Sequence, residues 1–137
     1  MDYDVFVDTS GFYALLATDD PAHTAACDIL RLGSEKKMRY MTTDYIIDET
    51  ATLLKARKLG YIVAEFIDTV IESNACHIEW MNPDFFSQTS RFFLKHADHA
   101  WSFTDCFSFI VMKNNNIPSA LTKDGDYKAA GFHAMLK

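Results

Sequence analysis

Short β-prone runs alternate along the chain with longer segments of helical periodicity, and this alternation limits the possible folds more than any other feature. Five runs are predicted to be strands: residues 4–7, 39–42, 76–80, 119–122 and an edge segment near 133–136. Repeated β-α units of this kind form a parallel sheet with helices on both faces. The sequence therefore predicts an α/β protein, a three-layer α/β/α sandwich whose central, mostly parallel sheet has four to five strands.

Capping residues, Gly and Pro indicate where the helices begin and end. Asp20-Pro21 predicts the start of a helix that continues until Gly33 stops it. Thr104 is expected to cap a helix over residues 105–114, and apolar residues on all sides of that helix predict that it is buried. The remaining predicted helices follow residue 8 and cover residues 44–58, 62–72 and 83–95, with a short helical turn after residue 124.

The chain has the size and composition of one packed domain, residues 1–137. Hydrophobic residues make up 49% and charged residues 23% of it, which is typical of a globular protein. We expect a cytoplasmic protein that does not enter a membrane, because no apolar run reaches roughly 18 residues and the first residues lack the basic segment of a signal peptide. Cys27, Cys76 and Cys106 are widely spaced and are expected to be reduced thiols.

Acidic residues follow two of the predicted strands. Asp8 ends the first strand and Asp124 lies just beyond the fourth, with Asp126 close to it. Ligands of open parallel sheets bind at the carboxyl ends of the strands, where the connections diverge to opposite faces. If the first and fourth strands are neighbours, the two carboxylates therefore face one crevice.

Two further acids are placed by helical periodicity. Glu49 follows Ile46 by three residues and precedes Leu53 by four, which predicts that its carboxylate lies on the apolar stripe of its helix. Asp48 is expected to face solvent instead. Asp105 opens the most apolar helix of the chain. A carboxylate placed against a core is costly unless a cation or hydrogen bonds compensate for it.

Each acid also has an ordinary structural role that the sequence leaves open. Asp8 could end a strand in a turn, Asp105 could complement the helix dipole, and Glu49 could be half exposed. Asp124-Gly125 is a common turn dipeptide. Four acids directed to one end of one sheet, with few basic residues nearby, nevertheless favour divalent cations with oxygen ligands, and Mg²⁺ or Mn²⁺ would fit. Hydroxyls near these acids could position water or act as caps: Thr9, Ser10, Ser102, Thr104 and Thr122.

The formal net charge of −6 argues against a protein that holds nucleic acid through a broad basic surface. A metal-dependent nuclease is less affected, because divalent cations neutralise an acidic site and then contact the phosphate directly. Such an enzyme needs no nucleophilic side chain. Lys55, Arg57 and Lys58, at the end of the Glu49 helix, are the basic residues best placed to contact an RNA backbone, although a solvated helix end is the more common role of such residues.

Four segments in this order resemble the PIN-domain nucleases, and within them the small VapC-like toxins of bacterial toxin–antitoxin pairs. The segments are Val5-Phe6-Val7-Asp8-Thr9-Ser10, Asp44-Tyr45-Ile46-Ile47-Asp48-Glu49-Thr50, Trp101-Ser102-Phe103-Thr104-Asp105-Cys106 and Leu121-Thr122-Lys123-Asp124-Gly125-Asp126-Tyr127. The resemblance implies a sandwich in which Asp8, Glu49, Asp105 and Asp124 bind one or two Mg²⁺ or Mn²⁺ ions, with Asp126 as an auxiliary acid. It also implies endonucleolytic cleavage of structured RNA (tRNA or rRNA), a homodimer and a cognate antitoxin.

Three other hypotheses remain. His96-x-x-His99 has the spacing of zinc ligands on a helix, but suitable third and fourth ligands are missing. A phosphoacceptor signalling domain or aspartyl phosphotransferase would use Asp8 as its nucleophile, but leaves Glu49 without a role. A non-catalytic PIN-like binding module would keep the fold alone and has no need for buried carboxylates.

Overall fold

The computed structural model describes residues 2–137 and has a five-stranded sheet in the order β3-β2-β1-β4-β5. All of its strand pairs are parallel. The strands are β1 (Val5–Val7), β2 (Tyr40–Thr43), β3 (Cys76–Glu79), β4 (Ser119–Leu121) and β5 (His133–Ala134). The predicted sheet is therefore confirmed, and the ends of its strands differ from the prediction by only a few residues. Met1, the first residue of the predicted domain, lies outside the described residues.

Helices connect the strands and cover the sheet. They are α1 (Thr9–Leu16), α2 (His23–Glu35), α3 (Asp44–Ala56), α4 (Val63–Glu72), α5 (Pro83–Lys95), α6 (Phe103–Asn114) and α7 (Gly125–Ala129), with a 3₁₀ turn at Gly60–Ile62 before α4. Right-handed crossovers place α1 to α4 on one face of the sheet and α5 to α7 on the other. The predicted burial of α6 is confirmed, because Phe107, Val111 and Met112 are fully buried.

β1 and β4 are the neighbours that the crevice hypothesis requires. Val5 pairs with Ser119 and Val7 pairs with Leu121, so both strands end at the same level. The chain then leaves β1 toward β2 and leaves β4 toward β5, in opposite directions along the sheet. This is the topological switch point at which open α/β sheets bind ligands.

The predicted boundaries of α2 are wrong at both ends. The helix starts at His23, with Ala22 at its cap, because the carboxylate of Asp20 binds the Lys123 ammonium at 2.7 Å instead of capping the helix. Gly33 lies inside the helix and does not end it. A Cβ at Gly33 would lie 2.1 Å from the hydroxyl oxygen of Tyr40, so the glycine permits close packing of α2 against β2.

The cap of α6 also differs from the prediction. Ser102 is the N-cap residue, and Thr104 lies within the first turn. The Ser102 hydroxyl accepts a hydrogen bond from the Asp105 N–H, and the Asp105 carboxylate accepts one from the Ser102 N–H. This reciprocal capping box fixes the position of Asp105 at the start of the helix.

Within residues 2–137, no helix has the length and apolar character needed to span a membrane.

Candidate active site

Asp8 follows β1 directly and lies at the base of the crevice, where only 5% of it is exposed. Three hydroxyls surround its carboxylate: Thr122 donates at 2.8 Å, Tyr127 donates at 2.9 Å, and Ser10 donates at 3.3 Å. These donors belong to the segment after β4, to α7 and to α1. Asp8 therefore joins the ends of the two central strands through its side chain.

Burial and hydrogen bonding have opposite effects on the pKa of the Asp8 carboxyl group. Burial raises the pKa of its carboxyl group above the usual value, the hydrogen bonds from Thr122 and Tyr127 lower it, and the nearby Asp124 carboxylate raises it further. Burial and the charge of Asp8 also raise the pKa of Tyr127 well above its usual value. The Tyr127 hydroxyl thus stays protonated and remains a hydrogen-bond donor to Asp8.

Three other carboxylates converge beside Asp8. Asp105, Asp124 and Asp126 each place an oxygen so that all three oxygens lie within 4.8 Å of one another. We refer to these three residues as the acid trio. Asp105 is held by the capping box of α6, and Asp124 is the N-cap of α7, where its side chain accepts a hydrogen bond from the Asp126 N–H. The trio is thus assembled from the first turns of two helices.

The acid trio is electrostatically strained, because its like charges are close together. The pKa of Asp105 is raised to about 6, because burial and the charges of Asp124 and Asp8 raise it by more than the hydrogen bonds from Ser102 lower it. Burial and the Asp124 carboxylate also raise the pKa of Asp126, while the imidazole of His99 lowers it. Within residues 2–137, none of the acids in the trio forms a salt bridge, nor does Asp8.

Glu49 faces the site but is not buried. Its carboxylate accepts a 2.6 Å hydrogen bond from the hydroxyl of Thr9, the first residue of α1. The prediction that it lies on the apolar stripe of its helix is wrong, because the buried residues of α3 are Ile46, Thr50 and Leu54 and Glu49 itself is exposed. Asp48 is exposed, as predicted. Thr9 therefore links Glu49 to the segment that carries Asp8.

The predicted hydroxyl residues divide into two groups. Thr9, Ser10 and Thr122 form a network around Asp8 and Glu49, in which the Ser10 and Thr122 oxygens lie 3.0 Å apart. Ser102 and Thr104 belong to the first turn of α6 and its cap. The network also accepts backbone hydrogen bonds, from the Lys123 N–H to Ser10 and from the Asp124 N–H to Thr122. It therefore fixes the chain just beyond β4 relative to the start of α1.

The predicted basic cluster lies at the far end of α3. Lys55 is in the last turn, Arg57 is the C-cap residue, and both are exposed, as is Lys58. The Arg57 guanidinium packs over the ring of Tyr13, a residue of α1, at 5.9 Å from its centroid. These side chains face solvent and are accessible to a substrate.

The zinc hypothesis for His96 and His99 gains no support. Among the described residues, the group of three or more potential metal ligands is the acid trio, and neither histidine belongs to it. Nδ1 of His96 instead donates a hydrogen bond to the Phe92 carbonyl, at 2.9 Å. The rings of His96 and His99 both pack near the ring of Trp101.

Two residues of the site were missed in the sequence. Tyr127 is fully buried, and its donor role toward Asp8 could have been suspected only from its position three residues after Asp124. Asp20 binds the Lys123 ammonium through both of its carboxylate oxygens, with only 5% of its side chain exposed. Its position in an Asp-Pro pair is typical of a helix start, so nothing local indicated a partner more than a hundred residues away.

Comparison with known proteins agrees with this architecture. The family model of the PIN domain matches residues 5–133, and the chain therefore belongs to the PIN-domain family. The 23S rRNA-specific endonuclease VapC20 of Mycobacterium tuberculosis (strain CDC 1551 / Oshkosh) is 34% identical over 128 residues, which are 93% of this chain and 95% of that protein. The VapC20 of strain H37Rv shows the same identity and coverage.

A solved structure extends the similarity to the fold. The crystal structure of M. tuberculosis VapC20, described as a sarcin–ricin loop cleaving toxin, matches with a TM-score of 0.84 and 32% sequence identity. The match covers 98% of this chain and 100% of the other. The predicted resemblance is thus confirmed: the chain is a VapC-like member of the PIN-domain family.

Proposed function

We propose that this protein is an endoribonuclease toxin that cleaves structured RNA with the help of one or two Mg²⁺ or Mn²⁺ ions. The observation that carries the proposal is the acid trio beside Asp8, at the switch point of a parallel sheet, without a basic partner in the described residues. Similarity to a 23S rRNA-specific endonuclease supports the same reaction class. Ribosomal RNA is accordingly the first substrate to test, and the protein would act in the cytoplasm, where that RNA is found.

The residues at the crevice fit a divalent cation. Carboxylate oxygens are the ligands that Mg²⁺ and Mn²⁺ prefer, and a cation would offset both the burial and the repulsion that raise the pKa of Asp105. Asp8, Glu49, Asp105 and Asp124 would hold the ion or ions, with Asp126 as an auxiliary acid. Glu49 reaches the site beside Thr9, whose hydroxyl binds its carboxylate. When bound, such an ion supplies a Lewis acid that activates water and stabilises charge on the phosphate oxygens.

The other residues of the site orient these acids. Thr122 and Tyr127 donate to opposite oxygens of Asp8 and so fix the plane of its carboxylate. The capping box fixes Asp105, and the Thr9 hydroxyl fixes Glu49. The Lys123 ammonium is paired with Asp20 and with none of these acids. The crevice is therefore preorganised to receive a cation and a phosphodiester, and the products would carry a 5′-phosphate and a 3′-hydroxyl.

The same contacts disfavour the alternatives. A phosphoacceptor would use Asp8 alone and gives no role to Glu49, whose carboxylate accepts the hydrogen bond from Thr9 at the side of the site. A binding module without catalytic activity would have no need for three partly buried carboxylates placed within 4.8 Å of one another without a basic partner. The nuclease hypothesis gives a role to every acid in the crevice.

Cleavage of purified ribosomal RNA tests the proposal. The protein is incubated with ribosomal RNA in Mn²⁺ or Mg²⁺, and new 5′ ends are mapped. We expect discrete cuts that disappear with EDTA and in the Asp8→Asn and Glu49→Gln variants. Asp48→Asn is the matched control, because it removes an exposed carboxylate next to Glu49 and should leave cleavage unchanged. Intact RNA under all conditions, with folded protein, would contradict the proposal.

We also propose two protein partners: a cognate antitoxin and a second copy of this chain. Support for a homodimer comes from α5, which exposes large apolar side chains, with Phe86 at 52%, Phe93 at 37% and Leu94 at 71%. In sedimentation experiments, Leu94→Asp should shift a dimer to monomer. Ile71→Asp, at an equally apolar and exposed position on α4, is the control.

The antitoxin proposal predicts growth arrest when the toxin is expressed alone, and rescue when the neighbouring gene is co-expressed.

A further inference from the structure

A stack of aromatic rings lies in the segment between α5 and α6. The imidazole of His99 lies flat on the indole of Trp101, with ring centroids 3.9 Å apart and an interplanar angle of 7°. Trp101 is 8% exposed, and Phe109 packs edge-on against it at 5.1 Å. The indole is thus a fixed base for the stack, and the imidazole is its outermost ring.

The outer ring of the stack is accessible from solvent. His99 keeps 40% of its side-chain surface exposed, and its Nε2 atom lies 3.8 Å from the Asp98 carboxylate, which is itself exposed. Stacking on a buried indole holds the imidazole in one orientation without removing it from solvent. A ring held in this way loses little conformational entropy when a ligand binds to it.

The stack is next to the acidic site. Trp101 precedes Ser102, the cap residue whose backbone N–H binds Asp105. His99 lies three residues before that cap residue and stacks on Trp101, which packs against Phe109 of α6, the helix that carries Asp105. His99 therefore lies at the edge of the crevice where a substrate would pass.

RNA that is recognised in loops presents unstacked bases, and proteins commonly bind such bases by stacking them on aromatic side chains. We propose that His99, supported by Trp101, is a nucleobase-binding residue that stacks an unpaired base of the RNA next to the scissile phosphodiester. This inference rests on the proposed ribonuclease function and adds a substrate contact to it. His99 is a binding residue in this scheme, and the acids remain the catalytic residues.

Kinetics of four variants test the role of the ring. The probe is a synthetic RNA hairpin with the sarcin–ricin loop sequence, cleaved in Mn²⁺. Stacking of one base is worth roughly 1–3 kcal/mol, so we expect His99→Ala to raise KM by roughly 5- to 150-fold with kcat nearly unchanged. His99→Phe, which keeps a flat ring, should restore KM, whereas His99→Leu should not. His77→Ala is the matched control, because it removes another exposed histidine that packs on an aromatic ring, that of Tyr3.

Abasic substrates identify the base that stacks. Each nucleotide near the cleavage site is replaced in turn by an abasic residue. When the abasic residue replaces the base that stacks, the KM of the wild type should rise to that of His99→Ala. The KM of His99→Ala should not rise further with this substrate. The inference is overturned if His99→Ala and His99→Leu both cleave every substrate with the wild-type KM. It is also overturned if no abasic position abolishes the difference in KM between the wild type and His99→Ala.

A binding measurement separates this inference from the nuclease proposal. Trp80 and Trp101 are the two tryptophans of the chain, so Trp80→Phe leaves Trp101 as the fluorescent reporter beneath His99. Addition of the hairpin should change Trp101 emission, and His99→Ala should weaken the binding curve at least 5-fold. If this holds without any cleavage, the nuclease proposal fails and the base-binding site stands. If cleavage occurs with identical binding curves, only the base-binding site fails.

Discussion

Single side chains of this protein combine structural and functional roles that the sequence presents as alternatives. Asp105 occupies the third position of a helix and completes a capping box, and it also belongs to the acid trio. Asp124 caps α7 and belongs to the same trio. The helix-start and turn hypotheses were thus compatible with a metal site, because the first turn of a helix directs its acids toward the carboxyl edge of the sheet.

Asp105→Asn should stabilise the protein in the absence of metal and abolish its activity. The pKa of Asp105 is about 6 in the folded protein and near 4 in an unfolded chain, so the folded state binds more protons between these values. Stability of the metal-free protein should therefore fall as pH rises from about 4 to 6. The asparagine lacks this charge and can still accept the hydrogen bond from Ser102.

Thermal melts at pH 5 and pH 7.5 check this prediction. At pH 7.5 without metal, we expect Asp105→Asn to melt roughly 3–5 °C above the wild type, the shift that about 1 kcal/mol produces in a domain of this size. Mn²⁺ should raise the melting temperature of the wild type and not that of the variant. A variant that melts below the wild type at pH 7.5 would show that the carboxylate is needed for the fold and not for a cation.

Tyr127→Phe should weaken metal binding without changing the packing of the core. The substitution removes only the hydroxyl that donates to Asp8, so the carboxylate keeps Thr122 and loses its second fixed donor. Loss of such an orienting hydrogen bond typically lowers metal affinity by roughly 10- to 100-fold. Calorimetric titration with Mn²⁺ measures the effect, with Tyr61→Phe at an exposed site as control. Equal Mn²⁺ affinities for both variants would contradict a positioning role for Tyr127.

At the level of elements, the periodic features of the sequence predicted the fold well. Single contacts between distant segments could not be predicted from it. Strands and long helices follow from residues that are neighbours in sequence. The start of α2 depends on the contact of Asp20 with Lys123, and the position of Gly33 inside α2 depends on the Tyr40 hydroxyl. Asp8 and Asp124 were predicted from the strand ends that they follow, and Asp105 from its place at the start of a helix, but the exposure of Glu49 depends on the exact rotation of α3.

The contact of α1 with β4 determines the shape of the crevice, and Gly11 makes it possible. A Cβ at this position would lie 2.0 Å from the carbonyl oxygen of Leu121. Gly11→Ala should therefore push α1 away from β4, separate Ser10 from Thr122, and destabilise the protein by about 1–3 kcal/mol or more. Gly125→Ala is the control for stability, because a Cβ at Gly125 would have no neighbouring atom within 4 Å. Equal unfolding free energies in urea for the two variants would contradict this packing.

For the whole molecule, the net charge of −6 means that RNA must be bound by local features and not by the overall field. The acidic crevice repels RNA until cations neutralise it. Exposed basic residues at the end of α3 provide a local attraction, and Lys55 follows Glu49 on this helix by six residues, roughly 9 Å along its axis. Affinity should thus depend on divalent cations and on a few local lysines.

The Lys55→Gln/Lys58→Gln double variant should bind RNA more weakly and with a smaller dependence on salt. Each phosphate contact contributes roughly 0.7–0.9 to the slope of log affinity against log salt concentration, so loss of two contacts should reduce the slope by about 1.4–1.8. Fluorescence anisotropy with a labelled RNA hairpin measures the slope, in an Asp105→Asn background that prevents cleavage. Lys36→Gln is the control, because Lys36 is the C-cap residue of α2, just before β2 begins, and so lies at the amino ends of the strands, opposite the crevice. If the double variant and Lys36→Gln give the same slope, the end of α3 is a solvated helix end and the RNA follows another path across the molecule.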